Sequence, residues 1–230
     1  IKVLYNVFGA ALIQEFALDR ILSLLGMVAI IAGSLFAVAQ DELKRRLAFS
    51  TVAQVGYVFL GLGQVNVCSL TGTLFHIASH AVIKSGLFLA AGAIIAATGK
   101  TRISEMAGIG GRMPITMAAF TIGSLGMVGI PLFSGFVGKW HLLAGSLTEG
   151  STLAPLVIVA GSVLAAAYLF PIIRTAYFEQ ARAIDGQDPG APQRIALILL
   201  AAGVVILGIA PGPFLELAGR AAVELLSRSP

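Results

Sequence analysis

The chain has 230 residues, of which 57% are hydrophobic and 11% are charged, and its mean hydropathy is +0.94. Soluble domains carry about 25% charged residues, so this composition excludes an ordinary soluble domain and indicates a membrane protein. The net charge of +4 does not indicate nucleic acid as a partner, because the basic residues fall in short segments between apolar runs.

Seven apolar segments follow one another along the chain. The first, from residue 1 to about 13, is too short to span a bilayer, and no initiator Met precedes it, so we expect residues 1–20 to be the end of a truncated helix and a loop of a longer protein. The other six can each cross ~30 Å of hydrocarbon, and in lipid they must be helical. They cover residues 21–39, 47–63, 71–97, 116–143, 153–178 and 194–215. The sequence therefore predicts an all-α polytopic membrane protein.

The connecting segments differ in charge on the two sides of the predicted bundle. Most basic residues fall in the connections on one side, whereas the connections on the other side carry only Arg20 before the C-terminal tail. The positive-inside rule therefore places the more basic side in the cytoplasm. The basic residues on the predicted cytoplasmic side are Lys44, Arg45, Arg46, Lys100, Arg102, Arg112, Arg182 and Arg194.

The C-terminal tail has an amphipathic pattern. Glu216, Arg220, Glu224 and Arg228 recur every four residues, with Leu and Ala on the other face. This spacing predicts either an extension of the last span or a short helix lying in the membrane interface.

The span 116–143 contains helix-breaking residues near its centre. Pro131 removes a helical donor, and Gly129 and Gly135 on either side make a break easy. A broken helix at membrane depth is tolerated only where it faces protein or a wet cavity, and transporters use such breaks at binding sites. We therefore predict a helix broken at Pro131 beside a functional site.

Three basic side chains recur every fourth residue in the span 71–97: His76, His80 and Lys84. On a helix they form one polar stripe about 12 Å long. A charged residue at membrane depth costs about 2.5–3.5 kcal/mol on insertion scales and indicates a functional site. We interpret the stripe as a proton relay, because imidazole titrates near neutral pH. Hydrogen bonding between helices and a metal site on the histidine pair are the alternatives.

Lys139 follows Pro131 in the broken span and is the second lysine inside an apolar run. It is either a second proton site or a side chain that snorkels to the interface, as the neighbouring Trp140 favours. An aqueous half-channel ending at Lys139 would satisfy both interpretations. No Asp or Glu falls in the spans between residues 47 and 143, so we expect a compensating carboxylate from a missing N-terminal half or a neighbouring subunit.

Three motifs together resemble the antiporter-like proton-conducting subunits of respiratory complex I, membrane-bound hydrogenases and Mrp-type cation/proton antiporters. They are residues 41–57 (DELKRRLAFSTVAQVGY), 76–88 (HIASHAVIKSGLF) and 135–140 (GFVGKW). The resemblance implies two inverted five-helix repeats, of which this chain holds the second and the last helix. Residues 21–178 would be that repeat, and residues 179–230 a cytoplasmic loop, the last transmembrane helix and a short tail.

The resemblance also implies a function for the basic residues. His76, His80 and Lys84 match the family's polar stripe at mid-membrane, and Lys139 matches the terminal lysine of its broken helix. The implied protein is a proton-translocating subunit of a complex I-like NADH:quinone oxidoreductase in the cell inner (plasma) membrane, bound to other membrane subunits. It would have no redox chemistry or cofactor of its own. An Mrp-type Na⁺/H⁺ antiporter subunit, a hydrogenase ion-pumping subunit and an inactive scaffold are the alternatives.

Overall fold

The computed structural model describes residues 1–179 and 186–227, and within them the chain is α-helical, with one short 3-10 turn and no strand. The positions of Arg182 and Arg228 lie outside the described residues. The helices are α1 (Lys2–Glu15), α2 (Leu18–Val38), α3 (Leu43–Gly63), α4 (Val67–Thr98), α5 (Ile109–Arg112), α6 (Pro114–Val128), α7 (Ser134–Thr148), α8 (Leu153–Phe178), α9 (Ala191–Ile209) and α10 (Gly212–Ser227).

Four of these helices are individually long and apolar enough to cross a membrane, namely α2, α4, α8 and α9. The two remaining predicted spans differ from them in specific ways. The helix α3 has 21 residues but carries three consecutive basic ones in its first turn, directly after Leu43. The predicted span 116–143 is divided into α6 and α7, which have 15 residues each. The all-α fold is as the sequence predicts, with one of its crossings made by two half-helices.

The charged connections meet at one end of the bundle, which we call the basic end: the start of α3, the end of α4 and the start of α6. Here Leu43 N donates to Thr101 O at 2.9 Å, which joins the two segments in a short antiparallel bridge. Asp188 accepts from the backbone N–H groups of Ile115 and Thr116 at 3.1 and 3.0 Å. A carboxylate at this position satisfies free donors of α6 and complements its dipole.

The helices bury a continuous apolar core between α3, α4, α6, α8 and α9. Leu47, Leu87, Phe120 and Leu169 are fully buried within it. Large apolar side chains also cover much of the outside of the bundle, where water would oppose them. Examples are Leu24, Phe36, Leu156, Val163, Leu199 and Ile206. This surface suits lipid or neighbouring apolar helices, as the composition predicts.

The break between α6 and α7 is as predicted at Pro131. The helix α6 ends at Val128, and Gly129 adopts a left-handed φ of 89° that closes its last turn. The chain turns through Pro131 and re-enters a helix at Ser134. Gly135 lies directly against the carbonyl of Gly126, so a side chain at this position would collide with the end of α6. Gly129 and Gly135 therefore allow the end of α6 and the start of α7 to approach each other closely.

The C-terminal part differs in detail from the predicted span 194–215. The helix α9 ends at Ile209, since Pro211 disfavours helical geometry in the residue before it and cannot donate to the helix. The tail then forms the separate helix α10, which packs on α4 and α1 through the buried Ala218 and Ala222. Of the two predicted forms of the tail, the separate short helix is the one the chain adopts.

Candidate functional site

A polar row on α3 faces the basic row on α4. The two helices are consecutive and joined by a short segment, so they run in opposite directions. The α3 side chains lie four and three residues apart, which places them on one helix face, and all are at most 2% exposed. They are Ser50, Gln54 and Tyr57. Ser50 of this row binds Lys84 of the α4 stripe, and the ring of Tyr57 contacts that of His76.

Lys84 is held at the basic end of this interface, where it is 7% exposed. Its Nζ donates to Leu47 O at 2.6 Å and to Ser50 Oγ at 2.5 Å. Ser50 in turn donates to Leu47 O at 2.9 Å. The ring of Phe88 lies 5.5 Å from the ammonium, within the range of a cation–π contact. The ammonium is therefore bound by one carbonyl and one hydroxyl of α3.

The two histidines form a stack in the middle of the row. The rings of His76 and His80 are nearly parallel, with centroids 6.1 Å apart, and the ring of Tyr57 lies 5.5 Å from that of His76. Both ring nitrogens of His76 and Nε2 of His80 lack hydrogen bonds of normal geometry to the described residues, although the backbone of Gln54 lies close enough to act on His76. The described part of the chain places no third metal-type ligand beside the pair.

Lys139 lies at the helix break, with 5% of its surface exposed. Its Nζ donates to Met127 O at 2.9 Å, to Val128 O at 3.1 Å and to Ser162 Oγ at 3.2 Å. The two carbonyls end α6, where the helix dipole favours a cation. The ring of Tyr57 completes the cradle, 4.8 Å from the ammonium. The side chain thus turns into the helix break, where protein groups bind its ammonium.

The break itself shapes this cradle. The Lys139 side chain passes over Gly129, where a Cβ would meet its Cδ at 3.0 Å. The first residue of α7, Ser134, accepts a 2.7 Å hydrogen bond from Ser79 of α4. The interruption therefore exposes the α6 carbonyls, leaves room for the lysine and ties α7 to α4.

The row formed by Lys84, His80, His76 and Lys139 contains no acidic residue to balance its basic side chains. The ion pairs in residues 1–179 and 186–227 include neither Lys84 nor Lys139. All three pairs lie on the surface: Arg45–Glu42, Lys100–Glu105 and Arg220–Glu216. A groove of about 350 Å³ between α7 and α8 reaches Lys139, but its walls are mainly apolar. The described residues therefore do not build a polar half-channel at this point.

Sequence reasoning overlooked several polar residues of this site. Three polar residues at helical spacing in an apolar span indicate a buried helix face. The sequence pattern could therefore have predicted Ser50, Gln54 and Tyr57. Tyr168 of α8 faces Gln54 and Ser50 from the opposite side, and Ser162 reaches Lys139. These two are isolated polar residues in a long apolar helix, so no pattern marks them.

Comparison with known proteins identifies the family. Residues 3–165 match the family model described as NADH:quinone oxidoreductase/Mrp antiporter, TM. The chain is 40% identical over 204 residues to NADH-quinone oxidoreductase subunit N of Desulforudis audaxviator. That match covers 83% of this chain and 41% of the relative, so the chain spans less than half the length of that protein.

Solved structures share the same arrangement of helices. A chain of the Mrp complex from Dietzia sp. DQ12-45-1b superposes with a TM-score of 0.87 and 24% identity, over 91% of this chain and 47% of that one. A chain of respiratory complex I from Thermus thermophilus with bound NADH gives 0.82 and 25% identity, over 91% and 45%. These matches confirm the polytopic membrane fold and the resemblance carried by the three motifs. The chain belongs to the NADH:quinone oxidoreductase/Mrp antiporter family of transmembrane proteins.

Proposed function

We propose that this chain conducts protons as part of a membrane subunit of a complex I-like NADH:quinone oxidoreductase. The observation that carries the proposal is the row from Lys84 through His80 and His76 to Lys139. A buried lysine lies at each end, and neither is ion-paired with a carboxylate of the described residues. Burying an unpaired ammonium is costly, so a lysine retained there is expected to exchange its proton. The 40% identity to a subunit N supports the same assignment.

The proton would enter the row at Lys84 and pass to the histidine stack. His80 lies within electrostatic reach of both Lys84 and Lys139, which supports its place between them. Buried polar atoms are almost always hydrogen-bonded, so water would supply partners for those ring nitrogens of His76 and His80 that the described residues do not bind. The stripe runs along α4 for about 12 Å, so the relay would advance along the helix axis as well as across the bundle.

Mutual repulsion would drive the proton onward. Two imidazolium rings 6.1 Å apart repel each other by about 3 kcal/mol at an effective dielectric constant of about 20. A proton that reaches the stack therefore disfavours a second one and is passed towards Lys139, from which it would leave on the side opposite the basic end. The redox reaction that powers this movement would take place in another subunit.

The location and partners of the chain are part of the same proposal. The basic end would face the cytoplasm, and the chain would lie in the cell inner (plasma) membrane among other membrane subunits. A carboxylate would come from a preceding part of the protein or from a neighbour. Residues 21–178 would form one five-helix repeat, made of α2, α3, α4, the broken pair α6–α7, and α8, with residues 179–230 as the loop, last span and tail.

An Mrp-type Na⁺/H⁺ antiporter subunit is the second candidate. The family model that matches residues 3–165 covers both kinds of protein, so the match supports either. Sodium-dependent proton movement in the absence of NADH would favour this candidate over the first.

The proposal is tested by replacing the two buried lysines in the assembled complex. NADH-driven proton uptake into inverted membrane vesicles is followed with an acridine dye and normalised to the amount of complex. We expect Lys84→Ala and Lys139→Ala each to reduce uptake by about tenfold or more. Lys100→Ala, which changes a surface lysine, is the control. Normal uptake in both core variants would refute the relay and favour an inactive scaffold.

A further inference from the structure

Arg46 is a buried charge that lies outside the row from Lys84 to Lys139. It is in the first turn of α3 and is 8% exposed. Its Nε donates to Gln40 O at 2.7 Å, its Nη1 donates to Tyr168 O at 3.0 Å, and its Nη2 also contacts Gln40 O. All of these acceptors are backbone carbonyls, so the guanidinium is well bound but not neutralised.

The acid that acts on this charge does not form an ion pair with it. Asp41 acts on Arg46 electrostatically, but its carboxylate accepts from Ser104 N at 3.2 Å and from Ser104 Oγ at 2.7 Å. None of the ion pairs in the described residues includes Arg46. Arginine cannot be deprotonated in proteins, so a permanent positive charge stays at this position.

The contact with α8 falls in the turn that precedes a proline. Pro171 lies inside α8, and its missing N–H leaves the Ala167 carbonyl, one residue before Tyr168, without its helical donor. The Tyr168 carbonyl lies in that turn and accepts from Arg46. The Tyr168 side chain is fully buried and faces Ser50 and Gln54. Arg46 therefore holds α8 against the part of α3 that binds Lys84.

The order of residues along α3 places Arg46 between Lys84 and the basic end. Lys84 binds Leu47 O and Ser50 Oγ, and Ser50 lies about 6 Å further into the bundle than Arg46 along the helix axis. A proton that left Lys84 towards the basic end would have to approach the fixed guanidinium. In a low-dielectric interior like charges repel strongly, so that route is opposed.

We propose that Arg46 is an electrostatic barrier that closes the short path between Lys84 and the basic end to protons in both directions. This inference rests on the proposed function and means that protons reach Lys84 by a route other than the one past Leu47 and Ser50. Protons do not leak between Lys84 and the basic end, because the charge of Arg46 closes that short path. A purely structural clamp between α3 and α8 is the competing role, and it would depend on the shape of the guanidinium more than on its charge.

The test measures passive proton leak in inverted vesicles that contain the assembled complex and no NADH. A pH step is imposed, and its decay is followed with an acridine dye. We expect Arg46→Gln to speed the decay by about tenfold, because the hydrogen-bonding amide remains but the charge is lost. Arg46→Lys keeps the charge and loses the fork of donors, so its decay should stay within about twofold of the parent. Arg45→Gln, an exposed neighbour, should match the parent.

Each outcome decides between charge and shape. Fast decay of the pH step in Arg46→Gln, together with parent-like decay in Arg46→Lys, supports the barrier. Equally fast decay in both variants overturns it in favour of a clamp. Parent-like decay in Arg46→Gln overturns it as well. A failure of the barrier proposal can be distinguished from a failure of the relay. The relay is tested by NADH-driven uptake in Lys84→Ala, whereas the barrier is tested by passive leak in Arg46→Gln without NADH.

Discussion

The Lys139 ammonium lies over the ring of Tyr57, 4.8 Å from its centre. The same ring lies 5.5 Å from that of His76. Tyr57 therefore contacts both the histidine stack on α4 and the lysine on α7, although it belongs to neither helix. A ring face stabilises a nearby cation by about 0.5–2 kcal/mol. In a site without a described carboxylate, this contact and three oxygen acceptors hold the charge of Lys139.

The ring of Tyr57 should matter more than its hydroxyl. The hydroxyl donates to Ile158 O at 3.2 Å and lies near Ser162, so it reaches Lys139 only indirectly, whereas the ring faces the ammonium itself. We expect Tyr57→Phe to keep NADH-driven uptake within about twofold of the parent, and Tyr57→Leu to lower it by about tenfold. Uptake is measured per assembled complex in inverted vesicles. A loss of uptake in Tyr57→Phe as large as in Tyr57→Leu would show that the hydroxyl carries the effect instead.

Ser50 should support proton exchange at Lys84. Its hydroxyl accepts from the ammonium at 2.5 Å, and a hydrogen bond to a charged group contributes about 1.5–3 kcal/mol. We expect Ser50→Ala to reduce driven uptake by about three- to tenfold, and Ser50→Thr to retain most of it. Thr121→Val is the matched control, because that hydroxyl donates to Met117 O within α6 at 2.7 Å. Equal uptake in Ser50→Ala and the parent would exclude this role.

Asp188 should contribute to stability without taking part in transport. It accepts from two backbone N–H groups at the start of α6 and from Thr116 Oγ1 at 2.7 Å. Losing a helix-capping side chain typically costs about 1 kcal/mol. We expect Asp188→Ala to lower the thermal midpoint of the purified protein, while driven uptake per assembled complex stays unchanged. A variant of the exposed Glu149, Glu149→Ala, should leave both unchanged.

The sequence predicted the parts of the site that stand out from their surroundings. Lys84 and Lys139 are charges in apolar runs, and Pro131 is a proline inside a predicted span. Each conflicts with the surrounding pattern, so each could be identified from the sequence as part of a candidate site. The cradle around Lys139 could not be predicted, because two of its members are backbone carbonyls, which have no sequence signature. Ser162 is likewise unmarked, since it joins the site only through the packing of α8 against the break.

A substitution at Gly129 can separate an effect on stability from an effect on proton uptake. Its φ is 89°, a conformation that costs a non-glycine residue about 1–2 kcal/mol, and a Cβ there would lie 3.0 Å from Lys139 Cδ. Gly99, at the end of α4, has a φ of 68° but open space around it. Gly129→Ala and Gly99→Ala should therefore lower the thermal midpoint by similar amounts. Only Gly129→Ala should also reduce driven uptake, because it displaces the lysine from the α6 carbonyls. If both variants lose uptake in proportion to stability, the close approach of Lys139 to Gly129 has no functional role.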